Sequence, residues 1–130
     1  SYFTTQAVYN VEASKNMLSD YYYYSKSKNL PLVPIMMTFS PCGSKKTMEF
    51  MKWLGIHFPK WLKNDLTYSE DILGASIDTC VRTFKELLNY SLKKGIPIGV
   101  NIESVSIRKD EIEASVELLE NVKYLINKSL

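Results

Sequence analysis

Apolar side chains along the chain recur at two spacings, and the switch between them outlines the architecture. Residues 2–8 are rich in β-branched and aromatic side chains and read as a strand. Asn10 is a good helix N-cap, and Glu12 puts a carboxylate in the first turn, where it favours the helix dipole. Over residues 11–28, apolar positions fall at Val11, Met17, Leu18, Tyr21 and Tyr24, a helical spacing that Asn29 and Pro31 bring to a stop. Residues 32–39 form a continuous apolar run of strand length, the pattern of a strand covered on both faces. Ser40-Pro41-Cys42-Gly43-Ser44 is a turn cluster that caps a helix over residues 45–54, and Gly55 closes it. Pro59 then starts a short helix over residues 59–66, as proline does at a first helical position.

Ser69-Glu70-Asp71 caps the longest helix, residues 70–94, with an expected apolar stripe of Leu73, Ile77, Val81, Phe84, Leu88 and Leu92. Gly95 follows two lysines, as at a helix C-terminus. Residues 96–102 make a third apolar strand, also expected to need cover on both faces. A final helix over residues 110–128 shows Ile112, Val116, Leu119, Val122 and Ile126 on one side. The order is β-α-β-α-α-α-β-α, which implies parallel strands joined by right-handed helical crossovers. Three strands cannot close a barrel, and an open parallel sheet leaves two bare edges. A (β/α)8 barrel usually needs about 250 residues. The expectation is a single α/β domain over residues 1–130 that is a piece of such a barrel, and a chain opening on Ser1 rather than Met agrees with a fragment.

Composition narrows the chemistry. The 130 residues are 45% hydrophobic and 23% charged, as in an ordinary globular chain. Sixteen basic and fourteen acidic residues give a net charge of +2, too balanced for a nucleic-acid or membrane-surface partner. No apolar run approaches the ~20 residues that span a bilayer, and no signal peptide is visible. Cys42 and Cys80, with no CxxC and no disulfide framework, read as free thiols, and a cytoplasmic location is expected. His57 is the one histidine, so a site built on two imidazoles is excluded and no metal is expected.

In parallel α/β folds chemistry gathers at the carboxyl ends of the strands. Gln6 lies at the first such end; its amide donates and accepts at once, which suits either a planar heterocycle or a satisfied structural contact. Glu103 lies at the third, where partial desolvation would suit acid–base work; the alternative is a capping residue or an ion pair near Arg108 and Lys109. Cys42 has no base beside it and reads as a small turn residue rather than a nucleophile. His57, between a glycine and a proline, reads as structural or exposed. Gly43-Ser44-Lys45-Lys46 lacks phosphate-loop spacing and keeps only an anion contact as an option. Tyr21 to Tyr24 span more than one helical turn, so at least one or two of these rings must face solvent or a protein contact.

Several of these segments together resemble a known family. Thr4-Thr5-Gln6-Ala7-Val8-Tyr9-Asn10 resembles the T-Q-x-x-[FY]-[DN] strand-to-helix turn of methylenetetrahydrofolate reductases, their sixth barrel strand. Val33-Pro34-Ile35 resembles the seventh strand, I-V-P-G-I. Phe50 and then Gly55-Ile56-His57-Phe58-Pro59-Lys60-Trp61 resemble the helix and [IV]-P-x-x segment that follow. Gly99-Val100-Asn101-Ile102-Glu103-Ser104-Val105-Ser106 lines up with G-x-H-F-Y-T-L-N, the eighth strand. The collinear set covers nearly the whole chain.

The resemblance implies the last three βα units of a (β/α)8 barrel, belonging to a flavoprotein that reduces 5,10-methylenetetrahydrofolate to 5-methyltetrahydrofolate. FAD and NAD(P)H would be the cofactors, with FAD held mostly by the first five strands, which this chain lacks, so that the fragment alone would be inactive. Gln6 matches a glutamine that meets both pterin and flavin, and Phe50 matches an aromatic that stacks on the substrate. Ser104 and Arg108 fall on the substrate side, Arg108 against the folate tail. The implied setting is one-carbon metabolism and methionine biosynthesis, with the rest of the barrel or a homo-oligomer partner closing the sheet. Two departures stand out. The segment from Pro34 to Pro41 is about two residues longer than the family's Pro-Gly-Ile-x-Pro loop, and Glu103 puts a carboxylate where the family has an aromatic. The alternatives are a non-catalytic α/β interaction module, or another TIM-barrel enzyme using Glu103 as its acid–base group.

Overall fold

The computed structural model of the protein describes residues 1–129. Its elements are β1 (Phe3–Ala7), α1 (Val11–Ser27), β2 (Ile35–Phe39), α2 (Lys45–Trp53), α3 (Lys60–Thr67), α4 (Ile72–Lys94), β3 (Ile98–Ile102) and α5 (Lys109–Ser129). This is the expected order, with half of the ends trimmed by one to three residues, α3 extended by one at its end and α5 by one at each end. The helix starts follow from side-chain caps that satisfy otherwise orphaned N–H groups. Asn10 Oδ1 accepts from the Ala13 amide at 3.1 Å, Ser44 Oγ from Thr47 at 3.1 Å, and Asp71 Oδ1 from Gly74 at 3.0 Å. α4 ends at Gly95, whose φ of 75° is the left-handed turn that glycine adopts at least cost.

The strands form one parallel sheet in the order β1-β2-β3. Central β2 is covered on both faces, with Ile35, Met37, Thr38 and Phe39 all buried. β3 departs from the expectation: every one of its residues is only half-buried, because it is an edge strand with a neighbour on one side. β1 is the other edge and is more exposed still. Its pairing slips between Thr4, opposite Met36, and Ala7, opposite Thr38, so β1 carries one extra residue. Thr5 Oγ1 accepts the Thr38 amide inside this bulge. Such irregularities re-aim side chains, and Gln6 is the residue re-aimed here.

Helices cover the sheet, and their buried faces only partly match those that apolar spacing suggests: Leu18, Ile77, Phe84 and Val122 are buried as expected. In α1, Leu18 is buried while Met17 and Tyr24 are exposed. Tyr23 is exposed as well, so two of the four consecutive tyrosines face outward. In α4 the buried face is Ser76, Ile77, Thr79, Cys80, Thr83, Phe84, Leu87 and Ser91, while Leu92 is exposed. Two of the small hydroxyl side chains bond within their own helix: Ser76 Oγ donates to the Leu73 carbonyl and Thr79 Oγ1 to that of Ala75. In α5 the buried residues are Glu111, Ala114, Leu118 and Val122, leaving Ile112, Val116 and Leu119 exposed. No helix among the described residues is long and apolar enough to cross a membrane.

Candidate functional site

The carboxyl ends of β1 and β2 are tied together by Tyr9. It is buried, stacks on Phe58 at a centroid distance of 4.4 Å, and donates its hydroxyl to the Ser40 carbonyl at 2.5 Å. Burial pushes the Tyr9 hydroxyl well above its ordinary value, with the neighbouring Cys80 and Cys42 thiols adding to the effect, so the group stays a neutral donor. Burial likewise pushes the Cys42 and Cys80 thiols up to about 12. Both are therefore inert packing residues, as the absence of a neighbouring base suggested for Cys42.

α2 follows the end of β2 and is held at both of its own ends. At its last turn, Gln6 Nε2 donates to the Leu54 carbonyl at 2.7 Å. The Leu54 amide in turn bonds the Phe50 carbonyl, so Gln6 sits one helical turn from Phe50. Gln6 is exposed, and its donor side is used while its carbonyl oxygen has no partner among the described residues. An open cleft of about 300 Å³ lies beside it, lined among others by Asn10, Met17, Gly55 and His57. The Asn10 amide nitrogen is 2.8 Å from His57 Nδ1, which makes that ring nitrogen the acceptor. His57 itself is exposed.

At the first turn of α2, Glu111 of α5 is fully buried and accepts from the Gly43 amide at 2.7 Å and from Thr47 Oγ1 at 3.0 Å. This carboxylate fills the one anion contact that the Gly43-Ser44 turn offered. The turn therefore binds a residue of its own chain rather than an external phosphate. A Cβ at position 43 would lie 2.9 Å from Glu111 Cγ, so the approach requires glycine. Glu111 escaped the sequence reading because its partners are distant in the chain. The available signal was a glutamate in helical register with Ala114, Leu118 and Val122.

The remaining expected site residues form a second group on the other side of β2, in the connection after β3. Glu103 is exposed rather than desolvated, and it accepts from Asn101 Nδ2 at 2.9 Å. The ion pair weighed as its alternative role is absent among the described residues. Arg108 Nε instead faces Asp110 at 3.4 Å and Glu111 at 3.5 Å, and Lys109 faces Glu113 at 3.8 Å. Ser104 Oγ donates to the Ser106 carbonyl at 2.8 Å. The structure thus joins Gln6 to the helix of Phe50 and keeps Ser104 and Arg108 apart from them.

Fold and site define a parallel α/β chain whose exposed polar and aromatic groups sit at strand carboxyl ends, the arrangement of small-molecule sites in α/β proteins. No family model matches the chain, and no curated protein matches it. Among solved structures it is similar to an uncharacterized protein from Clostridium thermocellum that binds two copies of 5-methyl-5,6,7,8-tetrahydrofolic acid. The two are 63% identical with a TM-score of 0.87, over 95% of this chain and 44% of that one. The chain therefore spans less than half the length of that structure.

Proposed function

We propose that these residues are the substrate-side part of a methylenetetrahydrofolate-reductase-like flavoprotein on a (β/α)8 barrel, working in the cytoplasm. The observation that carries this reading is the 63% identity to a protein that binds 5-methyltetrahydrofolate, the product such a reductase would release. Two further features support it. The three βα units leave both sheet edges unpaired, as successive units cut from a barrel would. Gln6 and Phe50, the pair that the resemblance gives to the pterin, converge on the last turn of α2.

Gln6 spends its amide N–H on Leu54 and presents its oxygen, so it would read a donor edge such as the amino and N–H groups of a pterin. Phe50 is 44% exposed and offers a ring face on which a flat heterocycle can lie. The residues present fit one flat ring system rather than a whole dinucleotide, since the Gly43 amide is already bonded to Glu111. FAD would accordingly be gripped mainly by residues beyond these, with Gln6 touching its ring, and when bound it supplies the hydride transfer from NAD(P)H to folate. The 130 residues alone would then be inactive.

The test uses the full-length protein. It should be yellow, with an absorbance band that NADH or NADPH bleaches. Gln6→Ala should weaken folate-linked turnover far more than reduction of an artificial acceptor by NADH. A colourless protein that binds 5-methyltetrahydrofolate but no flavin would overturn the reductase reading and leave a folate-binding protein.

A further inference from the structure

A second cleft, of about 240 Å³, opens between the start of α1, the start of α3 and the middle of α4. It is smaller than the roughly 300–1,000 Å³ that drug-sized ligands fill, so it suits a smaller molecule. Its buried lining is Tyr9, Leu62, Thr79 and Thr83, an apolar and hydroxyl floor. Two of these polar groups are committed: the Tyr9 hydroxyl donates to the Ser40 carbonyl and Thr79 Oγ1 to that of Ala75. Thr83 is 8% exposed, yet its hydroxyl has no partner among the described residues. A buried polar group in that state calls for a ligand or a water. The rim above is exposed and charged. Lys15 Nζ holds Glu86 at 2.6 Å, but neither Glu12 nor Arg82 forms an ion pair among the described residues. Arg82 reaches only Thr79 Oγ1, at 3.5 Å.

One cation and one anion, on different helices at the rim of one small cleft, favour a ligand that carries both charges. A simple anion would meet Glu12, and a simple cation would meet Arg82. Trp61, 58% exposed in the first turn of α3, adds an indole face to the wall that Pro59 begins. We propose that this cleft binds a free α-amino acid with an apolar side chain. The carboxylate pairs with the Arg82 guanidinium, a planar fork matched to two oxygens, and accepts a hydrogen bond from the Thr83 hydroxyl. The ammonium group faces Glu12, and the side chain lies against Trp61 and Pro59. Tyr9 and Asn10 also line the cleft beside Gln6, but none of the residues that take the amino acid does. The proposal therefore stands apart from the folate reading.

The experiment is calorimetric titration of the full-length protein with L-phenylalanine and L-leucine, and with two analogues that each lack one charge. L-phenylalaninamide has no carboxylate, and 3-phenylpropionate has no ammonium group. The unaltered protein should bind both amino acids, and each analogue about tenfold or more weakly than L-phenylalanine, the order expected when one charge-assisted contact is lost. Arg82→Gln should weaken L-phenylalanine to the same degree without weakening the amide. Glu12→Gln should weaken L-phenylalanine likewise without weakening 3-phenylpropionate. Trp61→Ala should weaken every probe about tenfold. All three side chains are exposed, and cooperative melting of each variant would show that it folds. Binding of neither amino acid by the unaltered protein would refute the site. So would equal affinity for L-phenylalanine and either analogue, or L-phenylalanine binding that survives all three substitutions.

Discussion

Replacing Glu111 by alanine should destabilise the protein out of proportion to the loss of one surface-looking acid from a helix of alternating charges. The side chain is fully buried, and its two oxygens serve the Gly43 amide at 2.7 Å and the Thr47 hydroxyl at 3.0 Å. Its ion pair with Arg108 contributes little, because the arginine is 56% exposed and 3.5 Å away. The cost comes instead from stranding the buried Thr47 hydroxyl, at about 1–3 kcal/mol, and the half-buried Gly43 amide, at the low end of that range, together with the cavity left behind. A total of about 2–5 kcal/mol follows. Glu111→Gln keeps an oxygen for the Gly43 amide and can turn its NH2 toward Thr47 Oγ1, so it should cost only about 1 kcal/mol. Urea unfolding reads both values from the shift in midpoint at constant slope. Gly43→Ala adds an internal check, since its Cβ would sit 2.9 Å from Glu111 Cγ. It should be severe alone and much milder when Glu111 is already alanine, a non-additivity that a double-mutant cycle measures. An alanine variant within about 0.5 kcal/mol of the parent, or a glutamine variant as damaged as alanine, would refute the reasoning.

Other consequences are simpler to read. Both thiols rise from 9.0 to about 12 on folding. The stability they contribute is thus complete below pH 9 and is lost as pH climbs toward 12, so melting temperature should fall across that window, and Cys42→Ser with Cys80→Ser should flatten the decline. Iodoacetamide at pH 8 should label neither thiol until denaturant is added; rapid native labelling would contradict the burial. Gly95→Ala meets no atom within 4 Å, so its cost is conformational alone, about 1 kcal/mol by thermal unfolding. Asn10→Ala removes the α1 cap and the contact to His57 and should cost about 1 kcal/mol or slightly more. A polypeptide limited to these 130 residues should self-associate through the edges of β1 and β3, and a clean monomer in light scattering would count against that.

Element order and helix ends could be read from sequence because their causes are local. Asn10, Ser44, Asp71 and Gly95 each act within a few positions of themselves. The buried faces could not be read so well, because burial depends on what the opposite surface offers. α4 turns Ser76 and Thr79 inward, where their hydroxyls bond the helix itself, and α5 turns a glutamate inward, where a distant glycine and threonine donate to it. Apolar spacing alone puts Ile112, Val116 and Leu119 in that place, and all three are exposed. The candidate site divides along the same line. Gln6 stood out from its place at a strand end, and Phe50 from its likeness to a family motif, whereas the contacts of Glu111 with Gly43 and Thr47 exist only once the chain has folded.

The extra residue in β1 sets the two halves of that strand in opposite phase. Ahead of it, Phe3 and Thr4 keep step with Ile35 and Met36; beyond it, the alternation of faces is reversed. Removing one residue between Thr4 and Ala7 would restore an unbroken ladder and give a more regular sheet. It would also turn position 6 toward the opposite face and release the last turn of α2. Strand length here is therefore a matter of parity: the loss of one residue between Thr4 and Ala7 would keep the pairing with β2 and misdirect the site.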